Sequence, residues 1–425
     1  MPATCDLSIA NVRQLVTCEP GLASSDDSEA RTVGIIDDGC IAVSAGKIAW
    51  VGPQRDFAGS GLKAARSIDG TGLVAVPGLV DCHSHALFAG SREREYEMRL
   101  KGKTYMEIAA SGGGIRSTVR AVRQASEEAL VEAGLANVRA MVAWGATTVE
   151  IKSGYGLSLE AELKMLRAIR RVKAEAPVEV VPTFLGAHDV PDEYRDRREA
   201  YVDLVVEEMI PAVADEGLAE FCDVFCEQGV FSPAESERVL VAARDRGMRP
   251  KIHADEFVSS GGAEVAARVG AISAEHLVHA SPRGLRAMAA AGTVAVLLPG
   301  VAFGLGKPEF APAREMLAMG LDIALATDFN PGSSMVHALP VVASLACSFM
   351  RLTPAEALLA MTRGGAKAVG RDKTVGSLVP GKQADIALFD IPDFRHIPYH
   401  LAGARPKMVI KAGRVVHARD PKEGA

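Results

Sequence analysis

The chain has 425 residues, of which 48% are hydrophobic and 24% charged, and its formal net charge of -6 is spread without runs. These values describe a globular protein with a large buried core, and they exclude a surface built for nucleic acid or anionic membrane. Seven irregularly spaced cysteines exclude a disulfide framework, and no apolar run approaches the roughly 18 residues of a membrane span. No basic segment leads into an apolar leader, so a cytoplasmic location is expected.

Residues 1–75 alternate short β-like runs with turn signals: Ile35-Ile36 before Asp37-Asp38-Gly39, then Cys40–Ser44, Gly46, and Ile48–Val51 ahead of Gly52-Pro53. This predicts a small antiparallel sheet rather than βαβ units. The middle of the chain alternates apolar runs with longer Ala/Leu/Glu/Arg stretches, the pattern of parallel strands with crossover helices. Eight strands are expected near Leu73–Asp81, Ala146–Ile151, Val178–Phe184, Ala219–Phe225, Arg249–His253, Ala271–His276, Thr293–Leu298 and Asp322–Thr327. Asp385–Asp390 and Lys407–Val416 are strand-like again. The expected fold is therefore α/β: a (β/α)8 TIM barrel over 76–368, with a small β-sandwich domain formed from both chain ends, 1–75 with 369–425.

The unusual polar residues fall at the C-terminal ends of these strands, where such barrels carry their active sites. His83 and His85 are two apart, so both imidazoles point the same way in extended chain, as two ligands of one metal must. His253, His276 and Asp328 close the fifth, sixth and eighth strands. Three imidazoles and a carboxylate leave a coordination position open for water, which is the pattern of a catalytic site. A lone His-x-His is as compatible with core or loop histidines; the company of the other three argues for a metal. Glu256, three residues past His253, is placed for general acid/base work, against the plainer reading of a solvated loop acid. Arg92, seven residues past His85, is the candidate anion clamp. Gly112-Gly113-Gly114 lacks the context of a nucleotide loop and is read as a turn or lid.

Val76–His85 and Gly376–Asp390 resemble the two signatures of the amidohydrolase superfamily. Within it the chain is similar to the imidazolonepropionase family. The similar stretches are Arg99–Tyr105, Ser111–Thr118, Glu150–Gly156, Thr183–His188, Phe221–Glu227, His253–Phe257 and Ala326–Gly332. The resemblance implies hydrolysis of the cyclic amide of 4-imidazolone-5-propanoate to N-formimidoyl-L-glutamate, in histidine degradation. It implies one Zn2+ or Fe3+ held by His83, His85, His253 and Asp328. It further implies substrate contacts at Arg92, Tyr105, Tyr155, His188, Glu256, Asn330, Gly332 and Ser333, and a homodimer; in the mechanism expected for such a site His276 steadies the developing oxyanion, and Glu256 or Asp328 takes the water proton and passes it to the leaving nitrogen. Ser333 stands where that family more often has Thr, which keeps the hydroxyl, and Glu256 alternates there with Gln. The fourth strand lacks the bridging Lys of binuclear amidohydrolases, in keeping with one metal. A ring aminohydrolase on the same scaffold is the nearest alternative, and a non-catalytic assembly protein, which should have lost ligands, the remoter one.

Overall fold

A computed structural model describes residues 3–23, 28–103, 107 and 112–420. Tyr105 and Ser111 lie outside the described residues. Among those described, no helix is long and apolar enough to cross a membrane.

Two eight-stranded sheets organise the chain. The first collects both chain ends. Its strands are β1 (Ala3–Val16), β2 (Ile35–Ser44), β3 (Lys47–Pro53), β4 (Leu62–Asp69) and β5 (Val74–Pro77), then β14 (Ile386–Phe389), β15 (Pro406–Lys411) and β16 (Arg414–Ala418). The order is β16-β15-β14-β5-β1-β2-β3, with β4 on β1. The expectation of an antiparallel sheet needs correction here, because β1 runs parallel to both β4 and β5. At 14 residues, β1 is long enough to pair with β4 along Ala3–Ala10 and with β5 at Gln14–Leu15. Alternation along β1 and β2 turns Leu7, Ile9, Leu15 and Ile41 into an apolar core shared with Ile386 and Ile410.

The second sheet is the barrel. Its strands β6 (Leu79–Asp81), β7 (Ala146–Lys152), β8 (Glu179–Ala187), β9 (Phe221–Cys226), β10 (Arg249–Ala254), β11 (Ser273–His276), β12 (Val294–Leu297) and β13 (Ile323–Leu325) are parallel and hydrogen-bonded in chain order. A bridge between Ser84 and Phe329 joins the ends of the first and eighth strands and closes the ring. The eight-stranded barrel is as the sequence led one to expect, with one correction. Leu73–Asp81 is not a single strand: it divides at Gly78 into β5, in the terminal sheet, and β6, in the barrel. A Cβ at Gly78 would lie 2.2 Å from Thr147 Oγ1, so only glycine lets the chain pass between the sheets there.

Crossover helices such as Glu127–Val142, Leu159–Glu175 and Pro233–Asp245 cover the barrel, each started by a serine cap at Ser126, Ser158 or Ser232. Their apolar faces and the outward strand residues form the main core.

Candidate metal centre and active site

The barrel mouth gathers histidines that lie as much as 193 residues apart in the sequence, from His83 to His276. His83 and His85 leave β6 with their Nε2 atoms 3.4 and 3.3 Å from Asp328 Oδ1. The His83 and His253 ring centroids are 4.5 Å apart, and those of His253 and His276 5.3 Å. Donor atoms of His83, His85 and His253 lie within 4.8 Å of one another, as do those of His83, His276 and Asp328. His276 and Asp328 sit at φ 69° and 44°, left-handed conformations that non-glycine residues hold only where the surroundings impose them.

Electrostatics favours ligation. Burial, with Lys152 and His253 nearby, holds His83 well below the usual histidine range, and burial lowers His85 as well. Burial likewise pushes His276 down to about 3. Neutral imidazole is the form that binds a metal. Although burial works against its charge, Asp328 stays well below the usual carboxylate range because His83 and His85 are within reach. His83 Nε2, His253 Nε2 and Asp328 Oδ1 are buried without a hydrogen-bond partner. Buried polar atoms are rarely left so, and a cation at their centre would satisfy all three. The donor set therefore fits a metal ion.

Around this cluster the structure brings together most of the other expected residues. Glu256 Oε2 is 3.5 Å from His276 Nε2. Burial, and the carboxylates of Asp328 and Glu227, raise Glu256 well above the usual range. Tyr155 packs its ring 5.7 Å from His85 and 5.3 Å from His188, and burial pushes its phenol up, so it keeps its proton. His188 stacks on His85 at 5.1 Å, with Nδ1 2.9 Å from the Gly154 carbonyl. Arg92 Nε donates to Glu95 Oε2 at 2.8 Å. Its guanidinium lies against Gly332, where an added Cβ would come within 2.4 Å of Nη1. Asn330 and Ser333 are engaged with each other rather than free. Asn330 Oδ1 accepts from the Gly332 and Ser333 amides at 2.8 and 2.9 Å, and its Nδ2 donates to the Asp328 carbonyl at 2.7 Å. This turn fixes the rim beside Asp328.

Three features escaped the sequence reading. Arg99 Nη1 donates to the Gly332 carbonyl at 3.0 Å, a second guanidinium at the rim. Asp223 Oδ2 is 3.0 Å from His253 Nδ1. Beneath the histidines the barrel is filled by a charged layer of Glu150, Lys152, Asp223, Lys251 and Glu275, all fully buried. Lys152 Nζ meets Glu150 and Asp223 at 2.9 and 2.7 Å, and Lys251 Nζ meets Glu150 and Glu275 at 3.2 and 3.6 Å. The strand β9, Phe221–Cys226, holds no lysine, in line with its sequence.

With a closed barrel and a metal-competent cluster at its mouth, the protein has the design of a metal-dependent hydrolase. A model of the amidohydrolase family matches residues 74–416, and the chain belongs to that family. Among its relatives, an imidazolonepropionase from Symbiobacterium thermophilum is 50% identical over 414 residues, covering 97% of each chain. Another from Geobacillus thermodenitrificans is 49% identical, covering 96% of this chain and 97% of its own. The fold is shared with a zinc-bound adenosine deaminase from Xanthomonas campestris at 20% identity (TM-score 0.69, covering 98% of this chain and 94% of that one). It is shared too with a 5-methylcytosine deaminase from Klebsiella pneumoniae at 17% identity (TM-score 0.73, covering 97% and 98%).

Proposed function

We propose that the protein hydrolyses the cyclic amide of 4-imidazolone-5-propanoate, giving N-formimidoyl-L-glutamate. The observation that carries this reading is the placing of a guanidinium, Arg92, on the rim turn that begins at Asp328. A ring carbonyl set over the histidine cluster would leave its propionate tail within reach of that rim. Relatives named imidazolonepropionase over nearly the full length support the choice of substrate.

His83, His85, His253 and Asp328 would hold the metal, Zn2+ or Fe3+, both of which suit such a donor set. Such an ion supplies Lewis acidity, lowering the pKa of water from about 15.7 toward about 7. Asp328, kept ionised, accepts the proton of the attacking water. His276, kept neutral, donates from its ring N–H to the carbonyl oxygen as that oxygen gains charge, and one such donor is worth about 3 kcal/mol. The water oxygen bonds to the carbonyl carbon and the carbon–nitrogen bond breaks. Glu256, whose burial favours its protonated form, delivers a proton to the departing ring nitrogen. Arg92 pairs with the propionate in two-point fashion. Tyr155, with its phenol proton retained, donates a further hydrogen bond from the mouth wall.

The test is an absorbance and product assay on metal-analysed protein with freshly generated 4-imidazolone-5-propanoate. The expected result is loss of the imidazolone absorbance with stoichiometric formimidoylglutamate, dependent on bound metal. Metal-loaded protein that leaves this substrate intact and instead releases ammonia from an aminated ring would overturn the reading in favour of a ring aminohydrolase.

A further inference from the structure

The charged layer under the histidines is more than ballast. His253 stands on β10 beside Asp223 on β9, its backbone N–H donating to Asp223 Oδ1 at 3.2 Å and its Nδ1 lying 3.0 Å from Oδ2. The carboxylate thus accepts from the main chain of this residue and stands beside its ring. Nδ1 is the ring nitrogen turned toward Oδ2, at ion-pair distance without an aligned hydrogen bond, which leaves Nε2, likewise buried without a hydrogen-bond partner, for the cluster. A second observation concerns the same carboxylate. Donor atoms of His83, Asp223 and Glu275 also come within 4.8 Å of one another, a spacing at which they could hold a cation themselves. The cation already there is the Lys152 ammonium, 2.7 Å from Asp223 Oδ2 and felt electrostatically by both His83 and Glu275.

We infer that Asp223 is a positioning residue for the metal centre, holding His253 by Nδ1 so that Nε2 faces the ligand cluster, and that Lys152 keeps Asp223 from becoming a ligand itself. The ammonium stands in for a second metal ion, and the centre stays mononuclear. Carboxylate partners of this kind fix the tautomer and orientation of a ligating histidine, and removing one commonly weakens metal binding about ten- to a hundredfold.

This inference rests on the metal-binding part of the reading above and not on the choice of substrate, so its test uses none. Zinc binding to metal-free protein is measured by competition with a chromophoric chelator. Wild type should take up one zinc. Asp223→Asn, which also leaves the buried Lys152 short of a partner and so lowers thermal stability, should in its folded, metal-free form, checked by circular dichroism, bind it about ten- to a hundredfold more weakly. Lys152→Met, which frees the second carboxylate cluster, should take up more than one zinc per chain. Wild-type affinity in Asp223→Asn, or wild-type affinity and stoichiometry in Lys152→Met, would overturn the inference. If either variant fails to fold, the zinc-loaded wild type decides through long-range proton–nitrogen NMR of labelled histidines. The proton of His253 must lie on Nδ1 with Nε2 metal-bound, and the opposite tautomer overturns the assignment. Wild-type protein that binds neither zinc nor iron overturns this inference together with the metal reading, whereas a metal-loaded enzyme inert toward the imidazolone overturns only the substrate.

Discussion

The two sheets of this protein use the same alternation of side chains and bury opposite chemistries. The terminal sheet turns Leu7, Ile9, Leu15, Ile41, Ile386 and Ile410 inward. The barrel turns in Glu150, Lys152, Asp223, Lys251 and Glu275, with no exposure at all. An apolar layer is stabilised in proportion to the area removed from water, so its losses are graded. A buried charged layer holds only while every member has its partner, since one unpaired charge in the interior is costly. The sheet that carries the chemistry is therefore the one less tolerant of change. The other can drift in detail while still supporting it.

Four substitutions break or sharpen that contrast, taken from the largest effect down. Asp328→Asn should lower kcat by about a thousandfold or more, with the circular dichroism spectrum preserved; full turnover in this variant would sink its assignment as ligand and proton acceptor. Glu150→Gln removes the carboxylate that Lys152, Lys251 and Thr183 share. It should cost about 3–5 kcal/mol in urea unfolding, and a loss below about 1 kcal/mol, the range of solvated pairs, would mean that the layer is wet and the contrast false. Leu15→Ala, at a site with 0% exposure in the terminal sheet, should cost about 2–5 kcal/mol. Its kcat per folded molecule should not change; a fall would show that the terminal sheet tunes the site. Arg92→Ala should raise KM about tenfold or more with kcat little altered, the value of a charged hydrogen bond. An unchanged KM would remove the anion clamp from the rim.

The parts of the molecule that follow local rules are legible in the amino-acid sequence. Apolar runs of strand length between helix-like stretches locate all eight barrel strands, and the spacing of two between His83 and His85 places both rings on one side. His253, His276 and Asp328 stand out because each ends such a run. Sheet membership is not legible. Nothing in Leu73–Asp81 tells which residues pair with β14 and which with β7, for both halves are equally apolar. The charged layer is hidden for a different reason. Glu150, Lys152 and Asp223 read singly as polar residues on a strand, and their partners come from strands far apart in the chain. Only closure of the barrel turns them inward and against one another.

Gly78 has a consequence for anyone who would cut this protein apart. β5 ends at Pro77 in one sheet and β6 starts at Leu79 in the other, four residues before His83. The Gly78 amide also donates to the Asp385 carbonyl at 2.8 Å, tying this crossing to the returning C-terminal segment. A shortened gene beginning at the barrel would thus put a free, fraying chain end beside His83, the first histidine of the mouth cluster. The turns at Gly217 and Gly247, which lead into the N-terminal ends of β9 and β10 and leave open space around the glycine, are the better places to open a circular permutant or insert a tag.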